Sequence, residues 1–342
     1  MGGKILVFLY SFFLISCVSV STLDIQVLEP ASDPVTPDIT SVVLLNRAVI
    51  DEKYANHSLD SVYSNHNNEL YNQSTTEIIF SLAQILNESP GIDFLSDDRL
   101  LEIPGADPSL IPDLLDPSFV IFLCDSMNAN AIITLEGYDI IYSDTLNIVS
   151  RRNGAIADSY YLGEVNANIT SVWRIYEQYN GGIVDEHVWL DTLVWQFASY
   201  SMNEIPDYLP SLEEVLLEAA YYTALTYARR ISPYWINQER YYFARGNRNL
   251  RLASNLLNVN RLDDAEIVYK SLLDSRNKNI VASSKFNLSL IYEMRGDYRQ
   301  ALNMARRSFQ IRRHPVSVIY LEILEDRLEK STELDRQLGR IN

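Results

Sequence analysis

The side chains best placed for chemistry lie within residues 185–191, where acidic groups, a histidine and a tryptophan occur close together. Alternate residues of a strand share a face, so one face would carry Asp185, His187, Trp189 and Asp191. A carboxylate beside a histidine can bind a metal ion or transfer a proton. The same pattern is typical of an exposed sheet face, in which charged groups only meet water, and this is the interpretation that we favour.

No second set of residues strengthens a catalytic interpretation. The other three histidines, His57, His66 and His314, do not have the spacing of metal ligands on a helix. Cys124 follows two apolar residues and is predicted to be a buried core residue. The chain also lacks the Gly-x-Ser-x-Gly, phosphate-binding and dinucleotide-binding patterns. We therefore predict that the protein is not an enzyme and that it binds neither a metal ion nor a cofactor.

The charge of the chain is large and unevenly distributed. Its net value of −17 argues against a nucleic-acid-binding protein, because phosphate backbones require a positive surface. Residues 229–342 carry 21 Lys and Arg against 13 Asp and Glu, whereas the residues before them carry 7 against 32. This asymmetry predicts either that the basic half docks on the acidic half or that it binds an anionic partner. A general solubility bias without any partner is the alternative.

The first residues have the features of a secretion signal. Lys4 precedes an apolar run that is too short to span a membrane. The sequence Leu14-Ile15-Ser16-Cys17 resembles a bacterial lipobox, which implies cleavage before Cys17 and attachment of a lipid to it. Residues 1–16 are thus predicted to be a signal peptide and residues 17–23 a lipidated tether. The expected location is the cell envelope, on the periplasmic side of the outer membrane. An ordinary signal peptide beside a chance cysteine is the alternative.

The pattern of residues 24–210 predicts an α/β domain. Short strand and helix patterns alternate first, as in β-α-β units. Longer strands follow, and the turns Asn153-Gly154 and Asn180-Gly181-Gly182 predict antiparallel hairpins. A capping box that begins at Ser211 then opens a long helix. Residues 211–342 are therefore predicted to form an all-α helical domain.

Two similar stretches occur in that helical domain. Residues 260–269 are echoed by residues 296–305, 36 positions later. Both resemble the tetratricopeptide repeat, a helix–turn–helix unit, with copies at about residues 246–281 and 282–315 and a capping helix after them. The residues predicted to pack the repeats are Leu252, Ala265, Tyr269, Leu288, Gly296 and Ala301. Two generic amphipathic helix pairs are the alternative, because no Trp opens either copy and the usual repeat is shorter.

The resemblance to tetratricopeptide repeats also implies a place for a partner, since the first helix of each copy lines a groove. By position, the partner groove would consist of Asn247, Leu250, Ser254, Asn258, Ser283, Phe286, Leu290 and Met294. Leu250, Ser254 and Phe286 do not fit the Lys- and Asn-containing clamp of chaperone-binding members. A mixture of polar and apolar side chains suits an extended or helical peptide instead.

The chain as a whole resembles a family of uncharacterised lipoproteins of the Bacteroides group with C-terminal tetratricopeptide repeats. The resemblance is carried by Cys17, by residues 27–31, 42–47 and 230–235, and by the repeats. It implies a location and a two-part architecture, and it implies no activity.

These observations predict an envelope lipoprotein that holds unidentified protein partners through its helical repeats while a lipid attaches it to a membrane. The competing hypothesis is a glycan- or cell-wall-binding module, or a hydrolase, that uses the acidic first domain and its aromatic side chains.

Overall fold

A computed structural model of the chain describes residues 20–49, 68–93, 97–103, 112–153 and 156–341. These residues form two compact units. The helical unit comprises residues 20–27 and 236–332, and the α/β unit comprises the described parts of 28–235 and 333–341. Cys17, the predicted signal peptide, His57 and His66 lie outside the described residues. No helix within the described ranges is both long and apolar enough to cross a membrane.

The secondary-structure elements have the following bounds. The strands are β1 (Val20–Glu29), β2 (Val42–Asn46), β3 (Leu100–Glu102), β4 (Ala131–Asn153), β5 (Ile156–Glu177), β6 (Ile183–Ser199) and β7 (Tyr234–Phe243). The helices are α1 (Asn68–Asn87), α2 (Pro117–Met127), α3 (Ile205–Tyr208), α4 (Leu212–Ile231), α5 (Arg248–Asn258), α6 (Leu262–Ser271), α7 (Lys278–Met294), α8 (Tyr298–Ile311) and α9 (Pro315–Gln337).

A five-stranded sheet with the order β3-β2-β4-β5-β6 forms the base of the α/β unit. β2 runs parallel to β3 and β4, whereas β4, β5 and β6 are antiparallel neighbours. All five residues of β2 are buried, as expected for a parallel strand that is covered on both faces. β6 alternates between half-buried and exposed residues along most of its length, because only one of its faces is covered. The predicted α/β class of this part of the chain is confirmed.

Helices cover both faces of this sheet. α1 and α4 pack together over one face, in a core that includes Leu82, Ala220 and Trp173. α2 lies on the other face, where Cys124 is buried against Leu45 and other apolar residues, as predicted. Burial raises the pKa of Cys124 to about 11, so its thiol is protonated and unreactive at neutral pH.

The position of α4 differs from the predicted domain boundary between residues 210 and 211. α4 begins at the predicted capping box: the Ser211 hydroxyl accepts a hydrogen bond from the Glu214 amide, and the Glu214 carboxylate accepts one from the Ser211 amide. The helix nevertheless belongs to the α/β unit. Ala219 and Ala220 are fully buried and let it pack closely on α1. Helical periodicity shows that a face is buried, but it does not show which unit buries it.

The helical unit contains α5 to α8, most of α9 and a two-stranded sheet of β1 and β7. α5 packs on α6, α7 packs on α8, and the two pairs meet where α6 contacts α7. The predicted run of helices is therefore present. The prediction of an all-α domain was wrong, because β1 and β7 contribute strands to the unit. Residues 20–23 of the predicted tether are likewise part of β1.

The two helical pairs share the features that the sequence similarity indicates. Asn260 and Gly296, which occupy equivalent turns, have φ values of +58° and +76°. Such left-handed backbone favours glycine and asparagine. The predicted packing residues that are buried are Ala265, Tyr269, Leu288 and Ala301.

Leu252 and Gly296 are the exceptions among the predicted packing residues: 50% of the Leu252 surface is exposed, and Gly296 is exposed at its turn. The residues that α5 buries are Leu250, Ala253, Ser254 and Leu257. Leu252 lies about half a turn away from the centre of that set, on the opposite face of the helix. Its assignment to the packing face was wrong.

Replacing Ala301 by Leu should lower the free energy of unfolding by about 1–3 kcal/mol, because its fully buried site has no room for a larger side chain. The control is Leu252→Ala, which should change this free energy by about 0.5 kcal/mol or less. Urea unfolding followed by circular dichroism measures both values. A larger loss for Leu252→Ala than for Ala301→Leu would contradict the packing described for α5 and α8.

Candidate functional site

The predicted partner groove is not an open surface. Its buried residues are Leu250, Ser254, Ser283, Phe286 and Leu290. Met294 is half-buried, and only Asn247 and Asn258 are exposed. The prediction that these eight residues line one accessible groove was wrong, because other elements of the helical unit cover them.

The end of β7 covers this part of the helices. The Phe243 ring meets the Phe286 ring edge-on, with 5.0 Å between the ring centroids. The Phe286 ring lies at the same centroid distance, 5.0 Å, from the ring of Tyr320 in α9. All three aromatic residues are buried, so apolar contacts hold the strand against α7.

Asn287 fixes the backbone of β7 at the same place. Its side-chain oxygen accepts a hydrogen bond from the Phe243 amide (2.8 Å), and its side-chain nitrogen donates one to the Phe243 carbonyl (2.9 Å). The Ser254 hydroxyl donates a further bond to that carbonyl (3.0 Å). A side-chain amide that pairs with both backbone groups of one residue holds an extended chain as a neighbouring strand would. The helices therefore bind an extended segment, and that segment is their own strand.

Tyr269 extends this polar cluster. Its hydroxyl accepts a hydrogen bond from the Asn287 side-chain nitrogen (2.9 Å) and shares one with the Ser254 hydroxyl (3.1 Å). Burial raises the pKa of Tyr269 to about 12, although these two hydrogen bonds act in the opposite direction. The phenol consequently stays protonated at neutral pH and can satisfy both neighbours.

A buried ion pair holds β7 further along its length. Arg240 meets Glu293 of α7 with 2.8 Å between nitrogen and oxygen, and both side chains are almost completely buried. The Tyr320 hydroxyl donates a hydrogen bond to the same carboxylate (2.6 Å). Burial and the nearby charge of Glu293 raise the pKa of Tyr320. Loss of either charge would leave the other buried and uncompensated, so the pair fixes the position of β7 on α7.

Sequence analysis did not identify Arg240, Phe243, Asn287 or Glu293 as a connected set. A signal for the strand existed, since residues 234–243 are rich in aromatic residues and follow a proline. A single buried asparagine in a helix has no comparable signal, because its partner is the backbone of a distant residue.

Asn287→Ala should lower the free energy of unfolding by about 2–3 kcal/mol, because the buried amide and carbonyl of Phe243 lose their partners on α7. The same change at exposed Asn258 should cost about 0.5 kcal/mol or less. Native-state hydrogen exchange should also accelerate at the Phe243 amide in the Asn287 variant. An unchanged exchange rate at that amide would contradict the role assigned to Asn287.

The titratable residues of β6 occupy a half-covered face. They are Asp185, His187 and Asp191, which share that face with Trp189 as predicted. Arg230 of α4 donates to both oxygens of Asp185 (2.7 and 2.8 Å) and also binds Asp33. The Tyr222 hydroxyl donates to Asp191 (2.8 Å). The expectation of an exposed sheet face was wrong for these residues, because all four are half-buried and side chains of α4 bind Asp185 and Asp191.

This environment keeps the His187 imidazole neutral at neutral pH. Burial lowers its pKa, and the charge of Arg230 lowers it further against the opposing effect of Asp185. Among the described residues, no group of three or more His, Cys, Asp or Glu is arranged to hold a metal ion. The contacts of Arg230 and Tyr222 join the edge strand β6 to α4.

A second charge cluster of the α/β unit is also structural. The carboxylate of Glu136 is fully buried and lies 2.7 Å from Arg47 and 3.7 Å from Arg174. The hydroxyls of Thr134 (2.7 Å) and Tyr176 (3.1 Å) donate to it as well. Since both oxygens have partners, the carboxylate joins β4 to β5.

A cleft of about 570 Å³ opens beside the outer parts of β4 and β5. Its lining includes the acidic residues Asp144, Asp207 and Glu214 and the phenol of Tyr142. Burial raises the pKa of Tyr142, and the charge of Asp144 raises it further. The volume suits a small ligand, and carboxylates beside a phenol can hydrogen-bond to hydroxyl groups.

Comparison with known proteins places this architecture in a family. Residues 39–243 match the family described as "Domain of unknown function (DUF8603)", and the chain belongs to it. Residues 251–330 match a second description, "Domain of unknown function (DUF6340)". The first match ends at the last residue of β7, and the second begins within α5. No curated protein matches the chain.

One solved structure similar to this chain is described as a putative neuraminyllactose-binding hemagglutinin homolog from Helicobacter pylori. The identity is 9%, and the similarity covers 58% of this chain and 88% of that one, with a TM-score of 0.27. Similarity at this level supports no conclusion about the fold or the function.

Proposed function

We propose that this protein is a non-enzymatic lipoprotein of the cell envelope that holds protein partners through its helical unit. The observation that carries the proposal is the exposed apolar surface of Leu252 and Val259 in the helical unit. The contacts of Asn287, Glu293 and Phe286 with β7 add that these helices accommodate an extended segment. A helical surface that accommodates an extended segment has the chemistry of a peptide-binding repeat. Because β7 occupies that surface, partners bind elsewhere on the helices.

We propose further that the pairs α5–α6 and α7–α8 are two tetratricopeptide-like repeats, with α9 as their cap. Support comes from the left-handed turns at Asn260 and Gly296. The buried alanines Ala265 and Ala301, at the same 36-residue offset, add to it. Small residues at these positions allow close helix packing.

The exposed face of α5 is the surface that we assign to a protein partner. Leu252 lies on this face, opposite the buried one, and Val259 directly follows the last residue of α5. Of their surfaces, 50% and 64% are exposed. Outer faces at the end of a repeat array are usually polar. Apolar side chains at such a place favour a partner that covers them.

A specific observation favours a second candidate function. The cleft that contains Asp144, Asp207 and Tyr142 has the size and the polar lining of a site for a small glycan or a cell-wall fragment. In that case the α/β unit would carry the binding activity.

Metabolic labelling with palmitate tests the lipid anchor. The wild-type protein should incorporate the label, and Cys17→Ser should abolish incorporation because the thiol is the attachment point. Cys124→Ser serves as the matched control and should keep the label, since Cys124 is buried in the α/β unit. Absence of label from the wild type would refute the lipoprotein assignment.

Crosslinking and purification from native envelopes test the partner surface. Leu252→Glu combined with Val259→Glu should reduce recovery of crosslinked partners at least tenfold, because charges prevent apolar burial. Leu217→Glu, on an exposed position of α4, should leave recovery unchanged. Circular dichroism should be the same for all variants.

Undiminished recovery with the double variant would contradict the assignment of α5. If the same protein instead bound muropeptides, and Asp144→Asn with Asp207→Asn abolished that binding, the glycan-binding function would replace the proposed one.

A further inference from the structure

One end of the helical unit collects basic side chains. They lie where β7 leads into α5, where α6 leads into α7, and where α8 leads into α9. We call them the basic end, which consists of Arg245, Arg248, Arg276, Lys278, Arg312 and Arg313. None of the six forms an ion pair with any residue that the structure describes.

Contacts within the unit bring these three connections together. The guanidinium carbon of Arg312 lies 4.7 Å from the centroid of the Phe243 ring, two residues before Arg245. The Ser308 hydroxyl donates to a carbonyl in the first turns of α7 (2.8 Å), so α8 ends beside the start of α7. A side chain at Gly246 would approach that of Ile280 to 2.9 Å, so the start of α5 is close to α7 as well.

Arg312 carries a positive charge that no neighbouring acidic group of the described residues neutralises. One terminal nitrogen of its guanidinium, Nη2, is buried without a hydrogen-bond partner. Burial lowers the pKa of Arg312, and no described carboxylate compensates the cation. Burial also lowers the pKa of His314, and the charge of Arg312 lowers it further. Because no described carboxylate neutralises Arg312, its charge adds to the positive potential of this end, which favours an anionic ligand.

The opposite end of the same helices is different. Arg261 pairs there with Asp264 (2.6 Å), and Arg295 binds Asp263 and Glu266. Basic residues at that end therefore have acidic neighbours.

The strands β1 and β7 bring the first described residues close to the basic end. β1 leaves the helical unit after Val27 and β7 enters it at Ile236, and the two strands are hydrogen-bonded neighbours of ten residues each. Val20 and Phe243 are therefore at the same end of the sheet. Three positions separate Cys17 from Val20, a reach of about 10 Å at most.

We propose that the basic end binds the phosphate groups of anionic lipids in the membrane to which Cys17 is attached. This inference rests on the proposed lipidation, which brings the helical unit next to the membrane. Lipid phosphates supply the acceptor oxygens that the unpaired guanidinium groups lack. Basic clusters near a lipid anchor strengthen attachment to anionic membranes, because the two attractions add.

The test uses the mature chain from residue 17 with Cys17→Ser, so that its outcome does not depend on the lipid. This protein should sediment with vesicles of phosphatidylethanolamine and phosphatidylglycerol at low salt, and it should remain in solution with phosphatidylcholine vesicles. Arg245→Gln with Lys278→Gln should weaken binding about tenfold or more, since each basic residue near the surface contributes about fivefold.

The matched control is Arg261→Gln with Arg299→Gln. Arg299 lies in the first turn of α8, at the opposite end, so this variant removes the same number of charges there. It should weaken binding about twofold or less. Equal losses in the two variants, or equal binding to phosphatidylcholine, would overturn the proposal. Binding to the anionic vesicles by a protein that incorporates no palmitate in cells would instead refute the lipidation alone.

Discussion

The hydrogen bonds between the Asn287 side chain and the backbone of Phe243 join the strand and the helices of the helical unit, and other features depend on this junction. Each backbone group of Phe243 is buried, so leaving it unpaired would cost more than an ordinary exposed hydrogen bond contributes. With β7 held in this way, β1 has a strand to pair with. The Phe243 ring is also fixed against Phe286, where the guanidinium of Arg312 can lie over it.

The same junction decides which surfaces of the helical unit are available. The face that resembles a partner groove is closed by β7, so Phe286 and Leu290 act as core residues. Accessible positions lie on the opposite face of α5 and at the basic end. The unit thus combines an inner surface used for its own strand with outer surfaces that differ in chemistry, one apolar and the other cationic.

Much of the local structure could be predicted from the sequence, because its signals are local. Gly181 marks the turn between β5 and β6, and the capping box at Ser211 marks the start of α4. The unit to which α4 belongs could not be predicted, since an apolar helix face packs equally well on a sheet or on other helices. The closed groove could not be predicted either. It depends on the hydrogen bonds between Asn287 and the Phe243 backbone. Backbone groups are the same in every residue other than proline, so the sequence gives no signal for such a contact.

The division of the chain between the units has a consequence for synthesis. β1 is made first, yet β7, the strand that it pairs with, lies about 200 residues later, which corresponds to about 10–40 s of translation. The pairing of β1 with β7 joins residues that are far apart in the sequence. Because so long a loop must close first, we expect this pairing to form late in folding. The α/β sequence lies almost entirely within that interval and can complete its sheet meanwhile. During this interval β1 has no partner and can pair with a wrong strand. It is therefore the segment of the nascent chain that most needs protection by a chaperone.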